Sequence, residues 1–207
     1  MEKTRPTYKY IISNSILYQQ EDDYELSQSE FYMLYSFYVT YSCCGNQSLK
    51  KRTFAEYGWG NFARSIGNKI SDRSVYLKDA LTEIIDLDDR THFIFITDGD
   101  DVSQCLSQVD LADGILADLE TERCVCMKNN EKNRFLNLFY RIRDGFAHGK
   151  FLLKYSRNGL RSVIIQDDDG HNVTARIVLK LDTLLKMVEV IDKNEMIERT
   201  EKELCRP

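Results

Sequence analysis

The chain has 207 residues, 43% of them hydrophobic, enough for a sizeable core, and its net charge of −5 excludes a protein that coats nucleic acid with its whole surface, though not a local basic groove. Its six cysteines, Cys43, Cys44, Cys105, Cys124, Cys126 and Cys205, form no C-x2-C pair and have no histidine at finger spacing, so free thiols are expected rather than a metal site or a disulfide framework. No apolar run reaches bilayer length and no signal-type segment follows Met1 to Pro6, so a cytoplasmic protein with no membrane attachment is expected.

In chain order, Tyr8 to Ile12 reads as a short strand or a docked arm. A long helix is predicted from about Ser27 or Ser29 to Cys44, stopped by Gly45 and Asn46. Its six aromatic residues between Phe31 and Tyr41 read as packing or as a dimer face, with base stacking the less favoured use. The stretch Phe54 to Gly60 reads as a loop pinned by its rings, Asn61 to Gly67 as a short helix, and the segment after Ser71 and Asp72 as a helix through Leu77, Leu81 and Ile85. His92 to Thr97 is β-prone, and it is expected to pair with a later hairpin. Asp98, Asp100 and Asp101 are too closely spaced for an EF-hand loop; Asp100 or Asp101 is expected to cap a helix running from Val102 to Leu119 with a break near Asp110 to Gly114. Cys126 to Lys132 reads as a polar connection. Beyond His148, Phe151 to Tyr155, Ser162 to Gln166 and Asn172 to Leu181 read as strands turned by Asp167 to Gly170, and Leu184, Leu185, Val188 and Ile191 mark a final helix.

The chemistry gathers between Asn133 and Phe151. Phe135, Leu138, Phe139, Ile142, Phe146 and Ala147 recur at spacings of three and four, which buries one face of a helix. Arg143 and His148 lie off that stripe, about 140° apart on an ideal helix, so they converge only if the helix loosens near Gly145 or a second chain completes the site. From Lys132 to Lys154 six basic residues face Asp144 alone, the footprint expected of phosphate binding. The competing reading is that Arg143 pairs with Asp144 or another carboxylate while His148 caps the helix. His92 and His171 read as structural.

Arg143, four intervening residues and His148, with polar Asp144 directly after the arginine and Gly149-Lys150-Phe151 following, resemble the RxxxxH motif of the HEPN family, many of whose members are metal-independent endoribonucleases acting as toxins or in phage defence. The match runs from about Asn133 to Ile191, and the family commonly has Asn where this chain has Asp144. The resemblance implies a mainly α-helical α+β fold: a HEPN-like bundle in one domain, 1–207, with a helical N-terminal part (1–130), a motif helix (131–150), a β-hairpin insert (151–181) and a C-terminal helix and tail (182–207). It also implies a homodimer with two Arg and two His around one cleft, RNA as substrate, a possible antitoxin or regulatory partner, and no cofactor or metal. Arg143, His148 and Asp144 are then the expected catalytic residues, with Lys150 and Arg141 contacting the substrate. Chemically, His148 can take or give a proton near neutral pH and Arg143 presents a fixed cation to a phosphorane. The alternative within the resemblance is a HEPN-like module that binds RNA, a nucleotide or a protein without cutting.

Overall fold

The computed structural model describes residues 20–44, 50, 52–60, 62, 72–96, 100–112, 115–128, 133–168 and 173–193. Ser27 accepts the amide of Glu30 while the Glu30 carboxylate accepts the amide of Ser27, and this reciprocal cap starts helix α1 (Gln28–Leu34). The helix then widens into a π-helical segment (Tyr35–Thr40), where the Tyr41 amide reaches back five residues to the Ser36 carbonyl.

Five strands form one mixed sheet: β1 (Phe93–Ile96), β2 (Arg123–Met127), β3 (Phe151–Tyr155), β4 (Arg161–Asp168) and β5 (Val173–Lys180), in the order β1-β2-β5-β4-β3. β1 and β2 run parallel; every other neighbouring pair is antiparallel. The sheet is covered on both faces, which is why the middles of its central strands, Val163 to Ile165 and Ile177 to Leu179, are runs of apolar residues instead of alternating with polar ones. On one face Val163, Ile165, Ile177, Leu179 and Cys124 pack under α1, the π-helical segment, α2 (Asp72–Ile84), α4 (Arg134–Ala147) and α5 (Leu181–Ile191). On the other, Ile164, Val178, Val125 and Leu152 pack under α3 (Val102–Gln108) and the loop carrying Leu111, Ile115 and Leu119. Two buried arginines hold that loop by its backbone: Arg123 donates to the carbonyls of Val109, Asp110 and Asp118, and Arg176 to those of Leu111 and Ala112. These bonds satisfy buried carbonyls that no regular element serves.

The expectation of a mainly helical bundle with a hairpin insert is therefore wrong. Segment 151–181 supplies β3, β4 and β5, and two of these are central strands of the sheet on which the helices rest. The N-terminal part is not simply helical either, since it contributes β1 and β2. β1 pairs with β2, not with the hairpin strands, and β2 occupies residues between the expected helix end at Leu119 and the expected polar connection, together with the first two residues of that connection. Asp101 does cap α3, accepting the amides of Ser103 and Gln104, but the helix stops at Gln108 because Asp110 adopts a left-handed conformation (φ 53°). The rings of Phe54, Tyr57 and Trp59 are buried as expected, with Tyr57 donating to the Tyr41 carbonyl and Trp59 to that of Ile191, and the Phe62 ring is buried beside them. The expectations for Tyr8 to Ile12, for most of Asn61 to Gly67 and for the tail beyond Lys193 lie outside the described residues. Among the described residues no helix is long and apolar enough to cross a membrane.

Candidate functional site at the end of α4

Asn133 caps α4 by accepting the Leu136 amide, and the helix runs unbroken to Ala147. Phe135, Leu138, Phe139, Ile142 and Phe146 of the apolar stripe are buried, whereas Ala147 is exposed because the chain is already leaving the body there. Gly145 does not loosen the helix. A Cβ built at that position would lie 2.2 Å from Ile165 Cγ2, so the glycine lets α4 sit directly on β4.

The helix ends in a Schellman turn: Gly149 is left-handed (φ 64°), its amide donates to the Phe146 carbonyl at 3.2 Å, and the Lys150 amide donates to the Gly145 carbonyl at 2.8 Å. His148 is the C-cap of this turn, its own amide bonded to the Asp144 carbonyl at 3.1 Å. The imidazole is exposed and makes no hydrogen bond among the described residues. Because the helical register holds from residue 143 to 148, Arg143 stays about 140° around the axis from His148. Among the described residues no hydrogen bond joins the two side chains within one chain, and Arg143 turns to Asp144 instead.

Arg143 is half-buried and forms an ion pair with the Asp144 carboxylate, 22% and 19% of the two side chains being exposed. Its Nε is buried and has no hydrogen-bond partner among the described residues. Both charges act on Cys44, at the end of the first helical unit, whose thiol burial pushes up to about 12; a Ser42 hydrogen bond opposes the rise, Asp144 adds to it and Arg143 opposes it.

The two expected substrate contacts point into the protein. The Lys150 ammonium meets Asp168 at 2.7 Å, with 9% and 1% of these side chains exposed, and Arg141 meets Asp167 at 2.6 Å while also bonding Thr174 and the Met127 carbonyl. Arg134 is held by Asp88 and Lys154 by Asp23, each at 2.7 Å. Every described member of the basic run thus already faces a carboxylate, and Lys132 lies outside the described residues. Asp167 and Asp168, read as turn residues, end β4 and are the internal counterions of that run. The excess of basic residues in the run, placed beside buried strands, was the available signal that such counterions must exist. His92 instead pairs on the surface with Asp89 at 2.7 Å, and His171 lies outside the described residues.

Tyr35, which sequence reasoning placed only on an aromatic face, adjoins the site: its hydroxyl donates to the Phe146 carbonyl at 3.3 Å. Beyond it opens a groove of about 800 Å³ lined by Ser27, Phe31, Tyr32, Tyr35, Ser36 and Thr40, with Phe31 49% and Tyr32 40% exposed. No protein-family model matches the chain, and no curated protein or solved structure matches it either.

Proposed function

We propose that this chain is a cytoplasmic, metal-independent endoribonuclease of the HEPN type, a toxin or phage-defence effector, whose site is completed by a second copy of itself. The observation that carries the reading is the position of His148, an exposed imidazole on a rigid helix-ending turn five residues after a half-buried arginine that within its own chain turns to Asp144 instead. The exposed aromatic groove beside the same turn supports a two-fold contact there, since an isologous interface sets one patch against itself and so draws two α4 termini together.

In that dimer His148 of one copy takes the proton of a ribose 2′-hydroxyl, whose oxygen attacks the adjacent phosphorus. The bond from phosphorus to the 5′-oxygen breaks, and the protonated His148 of the other copy gives its proton to the departing oxygen. Arg143 exchanges Asp144 for the phosphorane oxygens, and Asp144 is left to orient the histidine or the substrate. The products are a 2′,3′-cyclic phosphate and a 5′-hydroxyl. The test is incubation of the purified protein with RNA in EDTA, with product ends identified by mass spectrometry. Arg143→Ala and His148→Ala should yield no product; cleavage that stops with chelator and returns with magnesium or manganese refutes the reading.

A specific observation favours a second reading, a module that binds RNA, a nucleotide or a protein without cutting. Arg134, Arg141, Arg143, Lys150 and Lys154 each already hold a carboxylate, which leaves the basic run little charge for a phosphate backbone. Binding with no cleavage under any of these conditions would decide for it.

A further inference from the structure

We propose that Tyr35 is a positioning residue for His148, an inference that deepens the ribonuclease reading and rests on it. The Phe146 carbonyl has two lone pairs. One takes the Gly149 amide and closes the turn; the other takes the Tyr35 hydroxyl from a different element of the fold. His148 lies in the chain between Phe146 and Gly149, the two ends of that turn, so the orientation of its backbone is set by the turn from inside α4 and by Tyr35 from outside, through the shared Phe146 carbonyl. The tyrosine is itself held: its ring stacks on Phe31 at 4.2 Å, tilts against Phe146 at 5.5 Å and meets the edge of Phe151 at 6.5 Å. Burial raises the hydroxyl above its ordinary range, so it remains a neutral donor at neutral pH. Lys150 fixes the far side of the turn through Asp168, which leaves the Tyr35 hydrogen bond as the tie between His148 and the open aromatic groove.

The test uses the full chain with Tyr35→Phe, which removes one oxygen and keeps the ring. Tyr24→Phe is the matched control, since it deletes a hydroxyl that donates to a distant carbonyl, that of Ser162 at 3.1 Å. Amide exchange at residues 148–150 should quicken about five-fold in Tyr35→Phe alone, the factor expected from losing one ordinary hydrogen bond. The His148 ring resonances should shift in that variant and not in the control. Cleavage under saturating RNA should fall roughly five- to ten-fold with KM little changed, as expected when a catalytic group is misplaced while substrate binding stays intact. Exchange that quickens evenly along the chain, or His148 resonances that do not move, would overturn the proposal. A wild-type protein that cleaves no RNA would refute the ribonuclease reading instead, and the resonance and exchange measurements would still decide the role of Tyr35.

Discussion

Replacing Gly145 with alanine tests how α4 is seated, because helix propensity and packing predict opposite signs. In an isolated helix the change should stabilise by about 1 kcal/mol, the entropy that glycine loses on becoming helical. In the folded chain the new methyl would stand 2.2 Å from Ile165 Cγ2 and 3.5 Å from its Cβ. Comfortable carbon contacts begin near about 3.5 Å, so helix or strand must move by more than about 1 Å. Ile165 is fully buried in a central strand and paired with Ile177, and it cannot swing its branched side chain into solvent. The cost therefore belongs at the upper end of overpacking, about 3 kcal/mol. Set against the propensity gain, a net loss of about 2 kcal/mol is expected, a fall of roughly 4 to 8 °C in Tm for a chain of this size. Calorimetry and urea titration measure it. Ile165→Ala removes the clashing carbon at a cost of about 2 to 5 kcal/mol, and in that background Gly145→Ala should turn neutral or mildly stabilising. A wild-type background in which Gly145→Ala raises Tm would refute the reasoning.

Arg143→Ala and His148→Ala should fold with Tm nearly unchanged, because the histidine is exposed and the arginine pairs, among the described residues, with a part-exposed neighbour, worth about 1 kcal/mol or less; a melting curve shifted by more than about 5 °C would show a structural role. Lys150→Ala should instead lose about 3 to 5 kcal/mol in urea unfolding, since it strips Asp168 of its buried cation, and a variant as stable as wild type would show that this ammonium is free for phosphate after all. Phe139→Ala opens a cavity among Phe37, Tyr38, Phe54 and Phe135 and should cost about 3 to 5 kcal/mol by the same titration. Asp22 and Asp23 clasp the outer edge of β3 by accepting the Leu153 and Tyr155 amides, and a hydrogen bond from Lys154 holds the Asp23 carboxyl below its ordinary 3.8. A carboxyl depressed on folding stabilises above its unfolded pKa and loses that contribution as pH falls through the folded one. Protection of the Tyr155 amide, its exchange rate relative to an unstructured peptide at the same pH, should accordingly fall only below about pH 4, and a fall already at pH 6 would refute the clasp.

Local signals in the chain marked much of the framework. Ser27 followed three residues later by Glu30, Asp101 before a helix and Asn133 before the motif are capping patterns that three helices use. The three-and-four spacing of Phe135, Leu138, Phe139, Ile142 and Phe146 located the buried face of α4, and the β-branched run of β4 marked a strand. β2 escaped because Arg123-Cys-Val-Cys-Met127 is short and begins with a charge, which is tolerated only because Arg123 finds three backbone carbonyls in the loop that the fold lays against it. Its cysteines, expected to be free thiols, are so: Cys124 and Cys126 are buried side by side on one face of the strand.

Periodicity and caps act over one or two turns or strands, so the sequence by itself determined where most helices and strands lie, which face of α4 is buried, and that Arg143 and His148 stand off that face. It could not decide what each surface is buried against, because an apolar run has the same pattern in a hairpin insert as in the middle of a sheet covered on both sides. Charge behaves likewise. The basic run around α4 has the same count whether its side chains meet phosphate or carboxylates, and only the folded chain carries Asp88, Asp167, Asp168 and Asp23 to Arg134, Arg141, Lys150 and Lys154. The tertiary structure also kept α4 straight through Gly145, because Ile165 lies against it, and so separated the arginine from the histidine within one chain.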